Sequence, residues 1–363
     1  MPGPAALRAG IDRTWRPLAS EGFWRYAWLL PGTVLTTITA WRWEWFIHPD
    51  WSIARVAGHE LLSGRALFVY VDHPRAQMGP LALVLAQMPH AVYVPLVAAS
   101  VGLFLHWGMA AARPGERTIR DVVVALACSL LLVVPWSQLA WKGHADDAGV
   151  LLGAAWMFKS IRSGRPARAL PGYAVAIASK PTAVVLVPML YPELMAITGA
   201  LAITGVVWLP FFLADPAGLL RASRGVMTVA HGSFPTWVGV PIGAAPPGWV
   251  RAAQFGLGLL VVAWGAVRRR PELGLLLAVT LRALLDPNPA PAYVISAVAL
   301  SLIPDVLLGI PLFCSLSAIA FWRSQPVLNG GPGWPRGCAL IVLAIALVAA
   351  LATRRSIPSP RAA

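Results

Sequence analysis

Between about Glu44 and Pro80 the chain gathers four carboxylates (Glu44, Asp50, Glu60, Asp72), His48, His59 and His73, and Arg55, Arg65 and Arg75. A mere connector is shorter and poorer in titratable groups. The Trp, Tyr and Leu content of the stretch argues against disorder. Asp50, flanked by Pro49 and Trp51, falls just past the end of the first apolar run. A carboxylate at that depth, under an aromatic lid, is placed to act as a general base on a hydroxyl. The competing reading is an interfacial charge that solvates the helix end.

A second polar cluster is Lys142-Gly143-His144-Ala145-Asp146-Asp147. Adjacent carboxylates at a helix start point in different directions, so Asp146 reads as an N-cap and Asp147 as a first-turn acid favoured by the helix dipole. Lys142 and His144 suit a phosphate or a sugar hydroxyl. Lys180, between Ser179 and Pro181, interrupts an apolar stretch. An ionisable group there is a functional residue by default, or else it snorkels to the interface. Arg282 and Asp286 stand four residues apart before Pro287-Asn288-Pro289, as a site or as a local ion pair. Arg75, Lys142, Lys180 and Arg282 together can cradle a phosphate or diphosphate. His48, Asp72 and His73 complete the substrate-binding set. His-x-x-x-His, Cys-x-x-Cys and Asp-x-Asp patterns are missing, so no metal and no cofactor is expected. Without a Gly-x-Gly-x-x-Gly turn, a Walker lysine loop or Gly-x-Ser-x-Gly, a soluble nucleotide-binding domain is excluded. A lipid-borne donor is then favoured over a sugar nucleotide.

The elements that position these groups are membrane helices. The 363 residues are 58% hydrophobic and 12% charged, against about 25% charged in soluble domains. Apolar runs predict helices over 23–43, 81–106, 119–140, 147–159, 169–180, 181–192, 194–213, 249–267, 272–285, 291–304, 306–321 and 337–353. The expected fold is an all-α, polytopic membrane bundle of about twelve segments. A cytoplasmic segment (1–22) precedes one membrane domain (23–353), and a cytoplasmic tail (354–363) follows it. Residues 1–22 lack a cleavable signal, so the first run is a retained helix. Residues 169–192 read either as two half-length helices meeting at Lys180-Pro181 or as one kinked span.

Charge decides between them. With two segments, Arg113/Arg117/Arg120, Lys159/Arg162/Arg165/Arg168, Arg268-Arg269-Arg270 and Arg354-Arg355 all share the side of the N-terminus. That is the positive-inside pattern with both termini cytoplasmic. It also accounts for much of the +14 net charge, with anionic lipid contact, and no nucleic-acid partner is implied. Loops 44–80 and 214–248 then lie outside, and the second, rich in Gly and Pro, reads as a mobile cover or a plain surface loop. Cys128, Cys314 and Cys338 fall in helices with no disulfide or metal spacing.

A helix-end Asp in a first outer loop, then Leu61-Leu62-Ser63-Gly64 and Tyr70 through Pro74 to Gly79-Pro80, forms an ordered series. Gly143 to Asp147, Ala178-Ser179-Lys180-Pro181 and Leu285-Asp286-Pro287 continue it. In order and spacing, over about residues 25–300, the series resembles the integral-membrane GT-C glycosyltransferases. It is most similar to glycosyltransferase family 87, polyprenol-phosphate-mannose-dependent α-mannosyltransferases of actinobacteria. Where that family often carries an aromatic pair, this chain has His73-Pro74-Arg75. The resemblance implies a GT-C-like bundle in the cell membrane and an inverting, metal-independent transfer of mannose. The donor would be a polyprenyl-phosphate sugar, the acceptor a lipid or glycan of the cell envelope, and the active face extracytoplasmic. Asp50 takes the acidic, base position. The rival expectation is a transporter or flippase for a lipid-linked or small solute.

Overall fold

The computed structural model describes residues 21–43, 47–112, 119–219, 228–288, 291–325 and 334–353. Arg8, Arg13, Arg16, Glu44, Arg113, Arg117, Arg221, Arg224, Pro289, Arg354 and Arg355 lie outside them, as do the two terminal segments. The described residues are all-helical, with 80% helix and no strand. The chain runs through α1 (Glu21–Trp41), α2 (Pro49–Leu61), α3 (Val69–Asp72), α4 (Pro80–Leu85), α5 (His90–Ala112), α6 (Ile119–Lys142) and α7 (Ala145–Arg162). It continues with α8 (Leu170–Ser179), a 3₁₀ helix (Pro181–Leu190), α9 (Leu194–Ala214) and α10 (Phe234–Trp237). The last elements are α11 (Gly248–Val267), α12 (Pro271–Leu285), α13 (Ala292–Leu308), α14 (Leu312–Trp322) and α15 (Trp334–Ala352).

Among the described residues, five helices are long and apolar enough to cross a membrane: α5, α6, α9, α11 and α15. Their outward side chains are apolar too. Met195 is 86% and Val206 78% exposed on α9, which suits lipid and not water. Between lipid-bathed helices the hydrophobic effect gives little, so close packing must hold them. α7 and α8 meet through Gly153 and Gly172, where a Cβ on Gly153 would lie 2.3 Å from the Gly172 carbonyl oxygen. α1 lies against α5 and α6. There Thr33 donates to the Ala99 carbonyl (3.2 Å) and the Trp136 indole N–H to the Val97 carbonyl (3.0 Å).

The structure departs from the sequence expectation in three places. The span expected over 81–106 is two helices, α4 and α5, divided at Met88-Pro89, because proline lacks an amide donor and disfavours helix before it. The loop expected over 44–80 is largely helical, with α2, a 3₁₀ turn at Ala66–Phe68 and α3. Pro49 starts α2, and Asp50 sits in its first turn. At Lys180 the backbone is extended (φ −156°, ψ 132°), so residues 169–192 form two short segments that meet there as expected, but the second of them is a 3₁₀ helix and not an α-helix. Pro188 removes one amide donor from that segment.

Two glycines lock the segment that carries α2, α3 and the start of α4 onto this core. Gly143, between α6 and α7, has φ +89°, and its Cβ position lies 2.6 Å from Trp51 Cα. Only glycine lets α2 approach the α6–α7 turn this closely. Gly79 donates its N–H to the Ser179 carbonyl at 2.6 Å, and a Cβ there would meet the Ala178 oxygen at 2.2 Å. These two contacts bring Asp50, His144 and Lys180 into one neighbourhood.

Candidate functional site

Asp50 occupies the first turn of α2, and its amide N–H donates to His48 Nδ1 at 3.3 Å. Its Oδ2 lies 3.4 Å from His48 Nδ1 and 3.4 Å from His144 Nε2. The side chain is 42% exposed, so a substrate hydroxyl can reach it. Burial, the largest single influence, works against its charge. Hydrogen bonding to His144 and the nearby His144 and His48 charges outweigh that and hold its pKa below the ordinary carboxylate value. The group is an ionised acceptor at neutral pH. Trp51, expected as a lid, points inward instead: it is 2% exposed and meets His90 (4.8 Å) and Tyr93 edge-on or tilted. The aromatic neighbour of His48 is Trp141, at 5.4 Å, which stacks on Trp43 at 5.6 Å.

His144, and not Asp146, is the N-cap residue of α7. Tyr93 Oη accepts the first helical N–H, from Ala145, at 3.0 Å. Both aspartates lie inside the first turn, where the helix dipole favours negative charge. They do converge, contrary to the sequence expectation, because Lys180 arrives from α8. Its ammonium lies 2.5 Å from Asp146 Oδ2 and donates to Asp147 Oδ1 at 2.7 Å. Asp146, Asp147 and Lys180 are all buried. A charge with no counter-charge is costly there, and this arrangement compensates it. Lys180 is therefore neutralised by two carboxylates instead of standing open to a phosphate. On the other side, His144 Nδ1 lies 3.7 Å from Asp146 Oδ1 and 3.9 Å from Asp147 Oδ2. Burial opposes a charge on His144 most strongly, but Asp146, Asp50 and Asp147 together push its pKa up to about 9.

Arg282 lies over the Tyr293 ring at 5.8 Å. Asp286 caps the end of α12, 1% exposed, accepting from the Asn288 N–H at 2.9 Å, with Arg251 at 4.0 Å. Burial raises the Asp286 pKa; the Asn288 N–H, Arg251 and Arg282 oppose that. Arg251 also donates to Gln254 Oε1 (2.8 Å), whose amide donates to the Arg282 carbonyl (3.1 Å). Arg251, Arg282, Asp286 and Tyr293 wall a polar chamber of about 400 Å³, lined also by Asp50, Arg75, His144, Asp146 and Lys180. An apolar groove of about 330 Å³ adjoins it, lined by residues such as Leu151, Val185, Gly258 and Val279. Gln77, Met78, Lys180, Arg251 and Arg282 line both.

Asp72 and His73 sit elsewhere. Arg65 bridges Asp72 (2.6 Å) and Glu60 (3.5 Å), and His73 meets Glu60 at 2.6 Å, a surface clasp between α2 and α3. Lys142 lies beside the chamber, donating to Gln138 (3.3 Å) over the Trp141 ring. Arg251, Gln254 and Tyr293 escaped the sequence reading. The signal was there: Arg251 and Gln254 are polar residues three apart on an otherwise apolar helix. The described part of the 214–248 loop docks beside Asp286, with the Ala230 N–H on the Pro287 carbonyl at 2.8 Å.

No protein-family model matches the chain, and no curated protein or solved structure matches it significantly.

Proposed function

We propose that the protein is a membrane glycosyltransferase that moves a sugar, mannose, from a polyprenyl-phosphate donor to a lipid or glycan acceptor. One observation carries this reading. An ionised, solvent-reachable Asp50 shares a chamber with Arg251 and Arg282, and those arginines also line an adjoining apolar groove. A base, an anion site and a lipid slot in series are what a phosphate-linked lipid donor and a hydroxyl acceptor require. The resemblance to glycosyltransferase family 87 in the order of its motifs supports the same reading.

In the proposed reaction Asp50 takes the proton of the acceptor hydroxyl as its oxygen attacks the anomeric carbon. The bond from that carbon to the phosphate oxygen breaks, and the configuration inverts. Polyprenyl phosphate leaves as an anion beside Arg251 and Arg282, with Arg75 on the same wall. A phosphate ester leaves without protonation, so no separate acid is needed. His144 holds Asp50 in its ionised form. Incubation of membranes containing the protein with radiolabelled polyprenyl-phosphate mannose and a lipid extract should yield a new labelled product. Loss of donor from one leaflet with no product formed would instead favour a transporter, a rival to which the helix broken at Lys180 lends weight.

The proposed topology has about twelve membrane segments, a GT-C-like arrangement, both termini cytoplasmic and the chamber on the extracytoplasmic face of the cell membrane. The basic-residue asymmetry supports it. Ser63 is exposed, so Ser63→Cys should react with an impermeant maleimide in intact cells. Labelling only after lysis would overturn the orientation.

A further inference from the structure

We propose that His144, Asp146 and Asp147 form a binding site for one divalent cation of the Mn²⁺ or Mg²⁺ type in the wall of the polar chamber. One donor atom from each residue lies within 4.8 Å of the others. Asp146 Oδ1 and Asp147 Oδ2 are buried and make no hydrogen bond, although their side chains are only 2% and 4% exposed. Both face His144 Nδ1, at 3.7 and 3.9 Å. Metal bonds of about 2.1 Å separate neighbouring ligands by about 3 Å and opposite ones by about 4.2 Å, which brackets those two distances.

The surroundings complete the pattern. Each carboxylate's other oxygen is fixed by Lys180. The other ring nitrogen of His144 faces the Asp50 carboxylate at 3.4 Å, the usual outer partner of a metal-binding imidazole. Charge agrees as well. Asp50, Asp146 and Asp147 carry three negative charges and Lys180 one positive, so a divalent cation that takes the place of the His144 proton balances the cluster. Two carboxylates and one imidazole leave positions for water and suit a hard cation. His144 and Asp146 line the chamber, so a phosphate oxygen can enter the remaining positions. That last step alone rests on the transferase reading. The linear motifs showed no metal site because His144 precedes α7 and turns back onto its first turn, a spacing outside the familiar patterns.

The test uses the purified full chain in detergent. After chelation and desalting, Mn²⁺ is titrated and bound metal is read by electron paramagnetic resonance and by elemental analysis, with thermal unfolding in parallel. We expect one equivalent of Mn²⁺ and an upward shift in Tm. Asp147→Asn and His144→Gln should abolish both effects, whereas Asp50→Asn should weaken binding about 10–100-fold. Absence of saturable Mn²⁺ or Mg²⁺ binding by the wild-type chain overturns the proposal, and that measurement needs no variant to fold. Equal binding by wild type and both ligand variants overturns it too. A chain that binds Mn²⁺ but transfers no sugar keeps the site and sinks the transferase reading. Full transfer by a metal-stripped chain that binds none does the reverse.

Discussion

Changing Asp50 to Asn removes one proton acceptor while keeping the side chain's size and its contact with His144. The expected outcome is a turnover about 10²–10⁴-fold lower with donor affinity little changed. Asp72→Asn serves as the contrast, because that carboxylate belongs to the Arg65 clasp on the surface; near-normal turnover is expected. If Asp72→Asn abolishes activity and Asp50→Asn spares it, the base has been misassigned. Lys180 belongs to a different argument. Lys180→Met leaves two buried aspartates without their counter-charge, and breaking a buried pair in this way costs about 3–5 kcal/mol. A clear drop in Tm is expected in purified protein. An unchanged Tm would mean that the aspartates find another cation. Both aspartates and Lys180 were visible in the sequence as costly charges. Their pairing was not, because it depends on α8 ending level with the first turn of α7, which no local pattern encodes.

At the scale of elements, the helices were legible and their junctions were less so. Apolar runs long enough to cross a membrane announce themselves, so α6, α9, α11 and α15 fall where the sequence places them to within a few residues. Residues 44–80 misled because their helices are short, amphipathic and polar on the outside, and titratable density reads as loop. The junction that matters most is Gly143. A side chain there adopts a φ near +89° only under strain, about 1–2 kcal/mol by itself, and its Cβ also collides with the Trp51 backbone. Gly143→Ala should therefore push α2 away from the α6–α7 turn and separate Asp50 from His144. Lower Tm and lower turnover are expected together. Gly64→Ala, where nothing lies within 4 Å of the new Cβ, should change neither. A harmless Gly143→Ala would show that the α2 contact does not position the site.

The whole molecule is built around the meeting of a polar chamber with an apolar groove, and neither cavity belongs to a single element. The groove draws on α7, the 3₁₀ helix, α11 and α12, segments far apart in sequence, which is why composition pointed to a membrane protein but not to this cavity. If the groove holds the donor's prenyl chain, its contribution should grow with chain length, since each buried CH₂ is worth about 0.8 kcal/mol. Filling it then has a distinctive signature. Val185→Trp and Val279→Trp place bulk in the groove and leave Asp50, Arg251 and Arg282 in position. Both should raise KM strongly for a long-chain polyprenyl-phosphate donor and hardly at all for a short-chain one, with kcat preserved for the short donor. Kinetics with donors of graded chain length, run on detergent-solubilised protein, check this directly. An equal rise for every chain length would mean that the tryptophans disturb the chamber. No change for any length would place the lipid chain elsewhere on the helical surface.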